Sequence, residues 1–236
     1  MFQLFVVFHK KIFDECYDNI PQDILDKYFT FVAVNPDIPK TYTKDKYKIV
    51  NEWELPEYNA QFQQKGYNEN SVIFHVMRNE LYKEYKYVGF FQYDMIFTMS
   101  VLDTIISEMN EIPTCFYLDA RNYGYCAKET WNEPPVMAYL TSYYEEFHNK
   151  KFSYSYNDVY PLLNSYVISV DTYEKVMKWV YTLYSKIGSI VEQKHFGHIG
   201  GLYERIMAFA IGEENLRMIK LDIAHDHMYK NSLSEV

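Results

Sequence analysis

Tyr87-Val88-Gly89-Phe90-Phe91-Gln92-Tyr93-Asp94-Met95-Ile96-Phe97 is the stretch whose reading decides the arrangement of the chain. Tyr87, Val88, Phe90 and Phe91 are β-preferring, the run is too short for an ordinary helix, and it follows a segment of helical spacing. That combination predicts a strand buried on both faces in a parallel sheet. The run then meets Gln92, Tyr93 and Asp94. Open α/β sheets take ligands in the crevice beyond the carboxyl ends of their strands, so a carboxylate arriving there is placed to hold a cation or a polar substrate. Asp94 is the first candidate site residue, against the plainer reading of an aspartate that caps a loop.

Working outward, Gln3 to Phe8 reads as a first strand ending at His9-Lys10, and Asp14 to Tyr28 as a loop and short helix around Pro21. Phe29 to Val34 is a second strand closed by the turn signal Asn35-Pro36-Asp37. Pro39 to Glu69 reads mostly as loop, apart from the short run Lys48 to Val50. Val72, Ile73, Val76, Met77 and Leu81 recur at helical spacing, with Asn70 or Ser71 as the N-cap. After Asp94 come a helix over Ser100 to Met109 and a strand over Thr114 to Leu118 that ends in Asp119-Ala120-Arg121. A Tyr-, Trp- and Pro-rich stretch follows, including Trp131-Asn132-Glu133-Pro134-Pro135, with a helix near Val136 to Phe147; it reads as an acceptor-binding lid or a surface excursion. Tyr166 to Ser169 is a further strand, and Asp171 with Glu174 forms a capping-box-like start for a helix up to Gly188. Leu202 to Ile211 is the last helix, with Gly212 as its C-terminal cap, and Met218 to Ile223 adds a strand. Strands alternating with helices make this an α/β chain.

The 236 residues suffice for one sizeable core, either a single α/β domain or a domain with a small appendage, and one domain is the default. At 48% hydrophobic and 23% charged the composition is globular. A net charge of −9 and the absence of a Lys/Arg block argue against a nucleic-acid binder. An acidic pocket still suits a divalent cation bound to a pyrophosphate. Cys16, Cys115 and Cys126 are too few and scattered for a disulfide framework or a four-ligand zinc site, so free thiols in a reducing, cytoplasmic setting are expected. Phe2 to Phe8 is too short for a signal-peptide core and no segment has membrane-spanning length. The 25 tyrosines and 16 phenylalanines suit sugar stacking, but an AT-rich coding sequence enriches the same residues without any functional reason.

Four groups of residues occur in order over nearly the whole chain: Phe8-His9-Lys10; the helix Asn70 to Leu81 running into Tyr87-Val88-Gly89; Leu163-Asn164-Ser165-Tyr166-Val167-Ile168; and Gly201-Leu202-Tyr203-Glu204-Arg205. The ordered set resembles the bacterial capsular-polysaccharide-synthesis family of glycosyltransferase-like proteins; similar small glycosyltransferases are encoded by large DNA viruses. The resemblance implies a GT-A-like fold with a mixed, mostly parallel central sheet flanked by helices. It also implies one domain over 1–236, with 1–119 as the donor-binding half and 120–236 as the acceptor-binding half. The activity implied is transfer of a sugar from a nucleotide-sugar donor to a carbohydrate acceptor. Where the family commonly continues its central strand with His-Tyr-Arg-Arg, this chain has Gln92-Tyr93-Asp94-Met95. That departure resembles the acidic metal-binding motif of other GT-A enzymes, with Gln92 in the place of the first acid of Asp-x-Asp.

On this reading Asp94 binds Mn²⁺ or Mg²⁺, and His225 completes the metal shell in preference to His195, His198 or His227, whose spacing lacks the partners of a zinc enzyme. His9, Lys10, Asn70, Arg78, Gln92, Asn164 and Arg205 are the expected substrate-binding residues. Asp119 is the candidate base for an acceptor hydroxyl if the reaction inverts configuration, and Glu204 is its rival; for Glu204 the alternative is a structural ion pair with Arg205 that holds the start of its helix. Two other functions fit the same residues: a noncatalytic carbohydrate-binding protein on this fold, and a nucleotide-sugar hydrolase. Gly200-Gly201 lacks the strand and spacing of a dinucleotide fingerprint or a P-loop.

Overall fold

The computed structural model describes residues 1–63, 69–122, 136–153, 158–184 and 199–225. β1 (Phe2–Phe8) is buried along its whole length, with Leu4, Val6 and Phe8 on one face and Phe5 and Val7 on the other. Only a central strand covered on both faces can bury such an unbroken apolar run. The chain turns at His9-Lys10, passes a 3₁₀ turn at Asp14–Cys16, and returns through α1 (Gln22–Tyr28) to β2 (Phe29–Ala33), parallel to β1.

The stretch expected to be mostly loop contains β3 (Ile49–Asn51), parallel to β2, and 3₁₀ turns at Glu52–Glu54 and Ala60–Gln63. A buried polar pair holds it down. His75 Nδ1 donates to Glu52 Oε1 at 2.6 Å, and His75 Nε2 accepts the Asn59 N–H at 2.9 Å. Because Nε2 is an acceptor, the imidazole is the neutral Nδ1–H form.

α2 (Asn70–Arg78) starts without a side-chain cap: Glu69 stands at the cap position, and Asn70 and Ser71 are already inside the helix and buried. The helix also stops short of Leu81. Glu80 takes a left-handed φ of 55°, Leu81 N–H bonds Val76 O, and Glu80 N–H bonds Met77 O, which together close the helix by a Schellman turn. β4 (Tyr87–Gln92) then lies parallel to β1 as expected, followed by β5 (Met95–Ile96) and α3 (Met99–Glu108). Gly89 lets the strands' side chains close over it: a Cβ there would lie 2.7 Å from Leu4 Cδ2 and 2.8 Å from Val167 Cγ2.

β6 (Thr114–Asn122) is longer than the sequence suggests, so Asp119 lies within the strand, opposite Leu162 and just past a bulge after Tyr117. α4 (Val136–His148) leads to β7 (Val159–Ser169), which also starts earlier than expected; Pro161 pairs with Ala120, and Leu163 and Asn164 sit mid-strand at φ 64° and 47°. Asn164 is therefore at a kink, not at a strand entrance. α5 (Val170–Thr182) is capped by Ser169, whose Oγ accepts the Thr172 N–H, so Asp171 belongs to the first turn and not to the cap. α6 (Ile199–Gly212), β8 (Arg217–Lys220) and β9 (Ala224–His225) complete the order.

The main sheet runs β3-β2-β1-β4-β7-β6-β8, with β7 antiparallel to both neighbours and every other pairing parallel; β5 and β9 form a separate two-stranded ribbon. This is the mixed, mostly parallel sheet expected. One face packs Phe5, Val7, Val32 and Phe90 against residues of α2, α5 and α6, such as Val76, Met177 and Ile206. The other packs Leu4, Val6, Phe31 and Phe91 with Leu25 of α1 and Leu102 and Ile105 of α3. Each such side chain contributes about 1.5–3 kcal/mol relative to exposure. Among the described residues no helix is long and apolar enough to cross a membrane.

Candidate functional site

From β1 the chain winds outward through β2 to β3, then crosses back to place β4 on the other side of β1. The carboxyl ends of β1 and β4 therefore flank a topological switch point, where neighbouring connections part and leave a crevice. His9 follows β1 there, and Gln92 and Asp94 end β4. His9 Nδ1 accepts from Asn35 Nδ2 at 2.7 Å, which turns its Nε2 toward Glu69 Oε1, 3.7 Å away at the start of α2. The His9 ring meets the Tyr93 ring edge-on. Lys10 is half-buried and its carbonyl accepts the Thr41 N–H. Gln92 is half-buried beside Val7.

Asp94 is fully buried, and the β5–β9 ribbon brings His225 onto it by pairing Met95 with His225. The two side chains meet with His225 Nε2 3.2 Å from Asp94 Oδ2. Asp94 Oδ1 is enclosed and has no hydrogen-bond partner among the described residues. Burial, and after it the charge of Asp94 and of Glu69, pushes the Tyr93 hydroxyl far above its ordinary range. The fully buried Tyr17 is raised as well, first by desolvation and to a lesser degree by Asp94. The carboxylate thus sits in a dry aromatic wall with one oxygen on an imidazole and the other uncompensated. Such an oxygen calls for a cation or a donor.

A second polar group lies behind Glu69. Asn164 Nδ2 donates to Asn70 Oδ1 at 3.0 Å, and Asn70 Nδ2 donates to Gly200 O at 3.0 Å. The kink of β7 is thereby tied to the first turns of α2 and α6. Asn164 Oδ1 is buried without a partner among the described residues. One turn along α6, Arg205 Nη1 donates to Gly201 O at 2.6 Å, and Glu204 is half-buried beside it in sequence.

Comparison with solved structures finds the apo structure of WbbM, a bifunctional glycosyltransferase, at a TM-score of 0.60 and 14% identity, covering 94% of this chain and 44% of that one. This chain has a glycosyltransferase-like fold. It spans less than half the length of that neighbour. No family model matches the chain, and no curated protein matches it.

Within this glycosyltransferase-like fold the expected residues fall into four places. His9, Lys10, Gln92, Asp94 and His225 belong to the switch point, and Asn70, Asn164 and Arg205 to the junction of β7, α2 and α6. Arg78 stands apart, at the far end of α2, roughly 12 Å along the axis from Asn70. Its guanidinium bonds Glu57 and the Tyr181 hydroxyl. Asp119 lies toward the carboxyl end of β6, partly exposed and ion-paired with Arg121 Nη1 at 2.6 Å. Trp131 to Pro135, His195, His198 and His227 lie outside the described residues. Asn35 and Tyr93 also contact His9 at the switch point; Asn35-Pro36 signals a turn, and nothing local says that the turn reaches His9.

Proposed function

We propose that the chain transfers a sugar from a nucleotide-sugar donor to a carbohydrate acceptor, with Mn²⁺ or Mg²⁺ held by Asp94 and His225. The observation behind this reading is the Asp94–His225 contact, with its uncompensated Asp94 Oδ1, at the switch point of a glycosyltransferase-like fold. One carboxylate and one imidazole fit a divalent cation that completes its shell with donor phosphates rather than with protein. No group of three potential ligands occurs among the described residues, so donor phosphates would have to complete the shell. When bound, the metal would offset the charge that develops on the leaving nucleoside diphosphate.

In this scheme His9 and Lys10, at the mouth of β1, face the donor's phosphates, and Gln92 lines the floor beside Asp94. Asn70, Asn164 and Arg205 position the sugars; Arg78, held by Glu57 and Tyr181, supports α2 from its far end. The bond from the sugar's anomeric carbon to the diphosphate breaks as a bond to an acceptor hydroxyl forms. The hydroxyl proton passes to a carboxylate. Asp119 is preferred for that role because it stands partly open near the carboxyl edge of the sheet, and Glu204 is its rival.

The test is thermal shift and calorimetry with UDP-, GDP- and TDP-sugars, with and without Mn²⁺. Stabilisation by one donor that needs Mn²⁺ is expected, and it disappears in Asp94→Ala and weakens in His225→Ala. An Asp94→Ala protein that binds and turns over donor normally in Mn²⁺ would overturn the metal assignment. Glycan binding with no response to any donor would favour a carbohydrate-binding protein, and donor breakdown without acceptor-linked product a hydrolase.

A further inference from the structure

At the amino ends of the strands, roughly 20 Å along β1 from the switch point, the sheet carries a polar residue where its pattern calls for an apolar one. Gln3 shares a face of β1 with Phe5 and Val7 and is only 2% exposed. Its Nε2 donates to Tyr28 O at 2.9 Å, to Thr30 Oγ1 at 3.2 Å and more weakly to Leu4 O at 3.3 Å. Two backbone carbonyls facing the nitrogen fix the orientation of the amide. Its Oε1 accepts from no described group, and Thr30, whose Oγ1 serves as an acceptor, gives its own hydrogen to none. The cavity floor therefore presents one acceptor and one donor, Gln3 Oε1 and the Thr30 hydroxyl, free to bond water or a ligand that enters.

Both residues line a cavity of about 460 Å³ between the sheet and the turn that follows α2. Phe5 and Leu81 supply apolar wall, and Lys48 and Glu84 stand at its rim. The size falls within the ordinary range of small-molecule sites. A rim of both signs selects against a strongly charged ligand. A pyranose matches what remains: vicinal hydroxyls that both give and accept hydrogen bonds, and a C–H face for the wall.

We propose that this cavity is a second saccharide site, which holds a neutral hexose unit of a glycan away from the transfer centre. The choice of a glycan rests on the transferase reading; the site's existence rests on Gln3, Thr30 and the cavity.

The experiment is saturation-transfer NMR of the full chain with the methyl glycosides of glucose, galactose, mannose and N-acetylglucosamine. At least one is expected to bind, with the signal kept in Asp94→Ala. Affinity should fall about tenfold in Thr30→Val, the size of one lost hydrogen bond, and binding should vanish in Leu81→Trp, which fills the space. Near-UV circular dichroism checks that these variants fold. The exposed pair Lys48→Ala/Glu84→Ala leaves the core untouched and is expected to weaken binding several-fold. The proposal is overturned if folded wild-type protein binds none of the four. It also fails if binding is lost in Asp94→Ala while Thr30→Val and the Lys48/Glu84 variant keep it, because the signal then belongs to the transfer centre. Donor binding with Mn²⁺, measured on the same samples, separates failure of this site from failure of the transferase reading.

Discussion

Leu163 and Asn164 occupy left-handed backbone in the middle of a strand, at φ 64° and 47°. For a branched apolar residue such as Leu163 that region costs roughly 1–2 kcal/mol; asparagine tolerates it better. Something must hold the kink: Asn164 Nδ2 donates to Asn70 Oδ1, and Ser165 Oγ donates to Leu163 O at 2.8 Å. Asn164→Ala is expected to destabilise the protein by about 2–3 kcal/mol, through the lost buried hydrogen bond and the unfavourable φ. Asn164→Gly, which loses the same bond but accepts the backbone, should cost measurably less in urea denaturation. Equal losses would show that the left-handed conformation contributes nothing to the penalty. The kink is invisible locally: Leu163-Asn164 reads as the approach to a strand because its partner Asn70 lies 94 positions away.

Helix α6 illustrates how an element's end can be misread. A glycine after a helical run suggests a left-handed cap, yet Gly212 is the last helical residue and Asn215, at φ 51°, makes the left-handed turn further on. Gly212 is glycine because the Tyr160 ring of β7 lies against it: a Cβ would meet Tyr160 Cδ1 at 2.4 Å and Cε1 at 2.7 Å. Gly212→Ala is therefore expected to cost about 1–3 kcal/mol by overpacking. The same substitution should cost far less on a Tyr160→Ala background. If the two costs are equal in a double-mutant cycle, ring contact is not the cause. Helix existence could be read from period, whereas the residues at the ends of α2 and α6 answer to packing partners: Asn70 to Gly200 and Gly212 to Tyr160.

At the scale of the whole molecule, one cluster couples the helical layer to pH. Glu213, just past α6, accepts the Tyr160 hydroxyl, while Glu214 pairs with Lys175 of α5. His148 and Lys150, at the end of α4, and Asp158 also act on this region. Burial raises the Glu213 carboxyl from 4.5 to about 7, against the lowering effect of Tyr160 and Lys150. A carboxyl raised on folding stabilises the fold fully below its unfolded value and loses that contribution as pH climbs through its folded value. The wild-type melting temperature should therefore decline relative to Glu213→Gln between about pH 4.5 and 7 and run parallel to it above. Partial solvent screening limits the effect to about 1 kcal/mol, or about 2–4 °C for a chain of this length. A difference independent of pH would remove Glu213 from this role. His148, held low mainly by burial, titrates in the opposite sense and is present in both proteins.

The sequence by itself determined the alternation of strands and helices, the burial of β1 and β4, and the arrival of Asp94 at a strand's carboxyl end, because period and apolar runs are local properties. It also brought His225 forward as a partner for Asp94, as one C-terminal histidine preferred once the histidine spacings failed to match a zinc site. Tertiary structure alone decided that His225 lies 3.2 Å from Asp94, that Asp119 sits inside β6, that Arg78 bonds Glu57 and Tyr181, and that Glu52 and His75 close a buried pair. These facts depend on strand order, register and the β5–β9 ribbon, each set by contacts between segments tens to more than a hundred residues apart. A pattern of 3.6 or 2 residues says which face of an element is buried; which other element covers that face is settled only when the whole core packs.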